Sequence, residues 1–129
     1  DLADDLPSAL ADRHALVRHR MSGLHPPMRV AVIQTNQGSD KAANIVGARR
    51  LIDAAVASDR PDLVSLPETW TNLGGGRDAR FAAAEPLPEP GGTGGPAYEF
   101  LRDAARLHGI HVHGGSIIEA GADKLFNTS

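Results

Sequence analysis

Apolar positions along the chain follow two rhythms. Residues 29–34 (RVAVIQ) carry β-branched side chains at Val30, Val32 and Ile33 in one short run, which predicts a buried strand. From residue 45 the spacing changes to three and four. Ile45, Ala48, Ile52 and Ala55 recur on one helical face, with Leu51 and Val56 beside them and Arg49, Arg50 and Asp53 directed elsewhere. Ser39 is the expected N-cap, and Asp40 in the first turn suits the helix dipole. Residues 59–61 (DRP) stop the helix, and a second apolar run, residues 63–66 (LVSL), predicts the next strand. Strand, helix and strand in this order make a βαβ unit, which points to an α/β fold.

The rest of the chain extends the alternation. Pro96 suits the first position of a second helix through Tyr98, Leu101, Ala104, Ala105 and His108, and Gly109 supplies its stop. Residues 110–118 predict a third strand interrupted by Gly114 and Gly115, a glycine pair suited to a bulge or a close backbone approach. A turn at residues 120–123 leads to a strand at Leu125 and Phe126. Residues 72–95 read as a long glycine- and proline-rich loop with one helical turn at 81–85. Its glycine clusters lack both a GKS or GKT ending and a GxGxxG set between strand and helix, so a flexible loop is expected and not a phosphate cradle. Residues 1–27 stand apart. Leu10, Val17 and Met21 lie roughly on one side of a short helix at 8–21, and Pro26 and Pro27 block its continuation. This segment is expected to be a mobile leader or upstream extension before a folded unit at 28–129.

Composition narrows the classes. Hydrophobic content of 41% and charged content of 22% are those of ordinary globular material, and 129 residues suffice for one small domain or part of a larger one. A net charge of −3 without a basic stripe argues against a nucleic-acid partner. No apolar run approaches the roughly 20 residues that cross a bilayer, so no membrane partner is expected. The absence of cysteine excludes a disulfide scaffold and suits a cytoplasmic protein. The start at Asp1 and the stop within an expected strand lead to the expectation of a chain truncated at both ends.

One acid stands out. Glu68 follows Pro67 at the exit of the strand at 63–66. Ligand crevices form at strand C-terminal ends in open α/β sheets. A carboxylate desolvated at such a place can act as a general base near neutral pH, although a loop or cap carboxylate is the commoner outcome of spacing alone.

Four segments in order raise the catalytic reading: MRVAVIQT (28–35), LVSLPE (63–68), HGIHVHGGSIIE (108–119) and KLFNTS (124–129). Together they resemble the N-terminal part of the nitrilase superfamily, the carbon–nitrogen hydrolases. The resemblance implies an α/β fold, the N-terminal part of an α-β-β-α sandwich. It implies hydrolysis of non-peptide carbon–nitrogen bonds of small amides without a cofactor or metal, usually by a homodimer or larger homo-oligomer. In that chemistry a cysteine attacks, a glutamate is the base, and a lysine stabilises the tetrahedral intermediate. Glu68 matches the base. Lys124 precedes the strand after which the family's lysine falls and is not assigned that role. Lysine and cysteine are therefore expected outside this chain, which alone is expected to be inactive. Trp70 is expected to line the substrate pocket, with cover for a sheet edge as the alternative.

His111 and His113, at i and i+2 on one strand face, admit a metal-ligand reading, but no third ligand is evident and the resemblance implies none. Glu119 reads as a turn or surface carboxylate, and Asn127 and Thr128 as structural hydrogen-bonding residues near the sheet. LPETW, HVHGGSIIE and LFNTS look closest to Nit-type amidases acting on small ω-amides or deaminated glutathione. The rival from another class is a non-catalytic α/β binding or interaction domain, for which the missing cysteine speaks.

Overall fold

A computed structural model describes the backbone of residues 14–18 and all of residues 26–129. Strand β2 (Arg29–Ile33) leads through helix α1 (Lys41–Asp59) to β3 (Leu63–Ser65), and helices α2 (Gly76–Ala83) and α3 (Pro96–His108) precede β4 (His111–His113). β2, β3 and β4 are parallel neighbours, in register Ala31↔Val64↔Val112. At the outer edge of β2 lies β1 (His14–Arg18), antiparallel, pairing His14 with Ile33 and Arg18 with Arg29. The expected helix at 8–21 is thus corrected over these five residues, and its remainder lies outside the described residues. The reason is the edge itself: β2 would otherwise present unpaired N–H and C=O groups there, and an incoming segment satisfies them in an antiparallel ladder.

α1 and α3 lie side by side on one face of this sheet. Ala31, Ile33 and Val64 point towards them and meet Ala48, Leu51, Ile52 and Ala55 from α1 and Ala97, Phe100 and Ala104 from α3. The alanines let the helix axes approach the sheet, and each large apolar side chain buried here contributes about 1.5–3 kcal/mol. Polar links pin the margins. The Asp62 carboxylate accepts from the Arg29 N–H at 2.7 Å, and its backbone joins β2 to β4. His108 meets Asp53 at 2.8 Å, fastening the end of α3 to α1. On the opposite face Val32 is 44% exposed and His111 and His113 are exposed. Among the described residues the helices α1 and α3 cover one face and no helix covers the other, as the first part of an α-β-β-α sandwich requires.

Helix starts differ from expectation in two places. Asp40, not Ser39, caps α1: its carboxylate accepts from the Ala43 N–H at 3.0 Å. Ser39 is occupied otherwise, its carbonyl accepting from the Asn72 side chain at 2.9 Å. The helical turn expected at 81–85 is replaced by α2 at Gly76–Ala83, beginning after Gly75 in the left-handed region, with Asp78 in its first turn. Pro86 forbids extension through Glu85, because the residue before a proline is driven to extended backbone.

Glu85, 3% exposed, then becomes a junction. Its backbone bridges to β5 (Ile117–Ala120) through Ile118 and Ala120, at 3.1 and 3.0 Å. Its carboxylate accepts from the Ala97 and Tyr98 N–H groups at the start of α3, at 3.1 and 2.9 Å. The same carboxylate pairs with Lys41 at the start of α1. Much of the expected flexible loop is therefore anchored.

The single strand expected at 110–118 is corrected to two. β4 ends at His113, and β5 belongs to a separate antiparallel hairpin with β6 (Leu125–Thr128), Ile117 opposite Thr128. The corner is at Gly115, φ +61°, where an added Cβ would stand 2.0 Å from the Pro67 carbonyl oxygen. Only glycine fits both the dihedral and the contact. The close approach expected of the glycine pair is thus present, and it falls against the residue before Glu68.

Candidate active site

The site grows from the exit of β3. Leu66 extends the ladder by one bond, its N–H donating to the His113 carbonyl at 3.0 Å. Pro67 then turns the chain out of the sheet, and its carbonyl accepts from the Ser116 N–H at 3.3 Å. Glu68 begins a tight turn through Thr71. Thr69 lies in the left-handed region, φ +45°, which for a β-branched residue costs about 1–3 kcal/mol and persists only where the surroundings dictate it. They do so at several points. The Thr69 N–H donates to Ser116 Oγ at 2.9 Å. Asn44 Nδ2 donates to the Thr71 carbonyl at 2.9 Å, and the Leu73 N–H to the Gly38 carbonyl at 2.8 Å.

Trp70 is the largest of these anchors. It is 0% exposed, its ring centroid 5.7 Å from that of Phe100 at an interplanar angle of 59°. Its Nε1 donates to the Gly114 carbonyl at 2.8 Å. The expected pocket-lining role is therefore corrected: Trp70 is sealed in the core, where an indole buries much area and finds its one acceptor. It acts on the site by holding the turn that carries Glu68.

Glu68 itself is exposed, without the apolar enclosure expected of it. Its Oε1 accepts from Asn127 Nδ2 at 2.7 Å, across from β6. Among the described residues, cavities of about 470 and 420 Å³ flank the sheet; the first, at the exit of β2 beside Gln34, Asn36 and Asn44, has a mixed polar and apolar lining, and the second is mainly apolar, between α3 and the hairpin beside Tyr98, Leu101 and Ile117. Glu68 lines neither and stands exposed beyond the end of β3.

The other candidates fall into place around it. Lys124 sits in the hairpin turn, its Nζ 5.0 Å from the Phe126 ring centre. Glu119 is half-buried and accepts from the Thr128 hydroxyl at 2.6 Å, so both serve the hairpin. His111 and His113 share the open sheet face, and His113 Nδ1 meets Ser65 Oγ at 3.0 Å. Among the described residues no three His, Cys, Asp or Glu side chains gather as a metal site would need. Reading the sequence missed Ser116, and saw in Asn127 only a structural residue. The signal for Ser116 was its position directly after the glycine pair that meets Pro67.

Comparison with known proteins identifies this arrangement. The carbon-nitrogen hydrolase family profile matches residues 29–129. Over 106 residues the chain is 35% identical to the chloroplastic omega-amidase of Arabidopsis thaliana, covering 80% of this chain and 28% of that protein. It superposes on Saccharomyces cerevisiae Nit3, a member of branch 10 of the nitrilase superfamily, with a TM-score of 0.67 and 28% identity, covering 76% of this chain and 36% of that one. The chain belongs to the carbon–nitrogen hydrolase family. Within the nitrilase superfamily it is Nit-type, and its fold is the N-terminal part of the α-β-β-α sandwich. It spans about 28% of the length of the curated relative it matches.

Proposed function

We propose that the full-length protein hydrolyses the carbon–nitrogen bond of small amides, with Glu68 as general base. The observation that carries this reading is the position of Glu68, directly after the central parallel strand on a turn held by Trp70, Ser116 and Asn44, in a chain of this family. In the proposed reaction Glu68 takes the proton of a cysteine thiol, which attacks the amide carbon. A lysine stabilises the oxyanion, Glu68 returns its proton to the amine as the carbon–nitrogen bond breaks, and the acyl group stays on sulfur as a thioester; Glu68, again ionised, then takes a proton from the water that attacks the thioester, releasing the acid and restoring the thiol. On this reading thiol and lysine come from residues outside this chain, which contains no cysteine, and the chain by itself is inactive. Similarity to an omega-amidase favours small ω-amides as the substrate class. We propose further that the enzyme is a homo-oligomer of the cytoplasm. Among the described residues no helix is long and apolar enough to cross a membrane.

The test is Glu68→Gln in the full-length protein, assayed on small ω-amides. Turnover should fall at least ~100-fold, the usual worth of a positioned general base. Undiminished turnover would remove Glu68 from the mechanism. The second reading, a non-catalytic domain on the same fold, rests on the absent cysteine; it wins if the full-length parent protein hydrolyses no amide.

A further inference from the structure

We propose that Asn127 is a positioning residue for Glu68, and that the β5–β6 hairpin is the device that aims this carboxylate. The inference rests on the reading of Glu68 as general base. Three contacts converge on three consecutive residues, Pro67, Glu68 and Thr69. Asn127 Nδ2 donates to Glu68 Oε1 at 2.7 Å, Ser116 Oγ accepts the Thr69 N–H at 2.9 Å, and the Ser116 N–H donates to the Pro67 carbonyl at 3.3 Å. Ser116 directly precedes β5, and Asn127 lies in β6 opposite Ile118. The hairpin and the residue that leads into it thus hold the backbone on both sides of Glu68 and one of its two oxygens.

The chemistry of the donor favours positioning over any structural use. A glutamate side chain on an open rim has several rotamers of similar energy, and a base must meet its proton within hydrogen-bond reach. Binding Oε1 removes that freedom and leaves Oε2 for the reaction. A lysine or arginine at this position would fix the carboxylate more strongly, but its charge would favour the anion and weaken it as a proton acceptor. A neutral amide orients with the least electrostatic penalty. Asparagine is also short, so its reach is set by the strand and not by a flexible stem. Burial does not require the bond, since both partners are exposed.

The experiment uses the full-length protein and a small ω-amide. Asn127→Leu keeps the shape and removes the donor. We expect kcat to fall ~10- to 100-fold, the scale of a slight misplacement of a catalytic group, with KM within about twofold and an unchanged Tm. Asn127→Gln keeps an amide donor and should recover part of kcat. The proposal is overturned if Asn127→Leu turns over like the parent. It is equally overturned if Leu and Gln variants lose kcat alike with a lowered Tm, which would mark a purely structural role. The two readings fail separately: an active Glu68→Gln removes the base itself, whereas an inactive Glu68→Gln beside a fully active Asn127→Leu removes only the positioning role.

Discussion

Glu68 and Glu85 are both glutamates beside a proline, yet the regions around them do opposite things. Glu85 is buried and saturated: two N–H groups of α3, the Lys41 ammonium and its own backbone bonds to β5 consume its capacity. Glu68 is exposed, with Asn127 on one oxygen. The Glu85 region therefore stores stability, because removing one partner would strand a buried charge. The Glu68 region draws on stability instead: it contains Thr69 at positive φ, and Trp70, Ser116 and Gly115 exist around it to enforce that geometry. Glu85 thus has no oxygen left for an outside group, whereas Glu68 keeps Oε2 open to one.

This contrast can be broken most directly at Glu85. Glu85→Ala should destabilise the protein by about 3–5 kcal/mol, the usual cost of removing one member of a buried ion pair, read from the denaturant midpoint. A loss below about 1 kcal/mol would reduce the junction to an ordinary surface pair. Trp70→Phe comes next. It removes the donor to the Gly114 carbonyl and should lose about 1–3 kcal/mol, while KM for the amide stays at the parental value; a raised KM would return Trp70 to the substrate pocket. Gly115→Ala must place a methyl against Pro67 at a positive φ, so a loss of more than about 1 kcal/mol is expected, together with reduced turnover as Pro67 and Glu68 shift. Smallest of all in stability is Glu68→Gln, which should leave Tm unchanged while turnover is lost. If Glu68→Gln instead unfolded the protein as Glu85→Ala does, the two regions would not differ in kind.

Much of this was legible in the linear order of residues. Apolar runs at 29–34 and 63–66, the helical spacing from Ile45 and the proline–glycine bracket of α3 are short-range patterns, and each became the expected element. The place of Glu68 at a strand exit followed from the same local rule. β1 escaped notice because an edge strand is chosen by the edge it covers, and residues 14–18 show no strong strand pattern of their own. The split of residues 110–118 was hidden for a similar reason: the glycine pair announced a close approach, but not that the chain would leave one sheet for another.

The βαβ framework, the family and the acid after its second strand were readable from residue order alone, because hydrophobic period and short motifs act within a few residues. Folding alone settles which carboxylate is sealed and which is open, that Trp70 faces the core, and that Asn127 reaches Glu68 from a strand far along the chain. Burial and hydrogen-bond partnership are properties of what the folded chain brings alongside a residue, and no neighbour in sequence carries them.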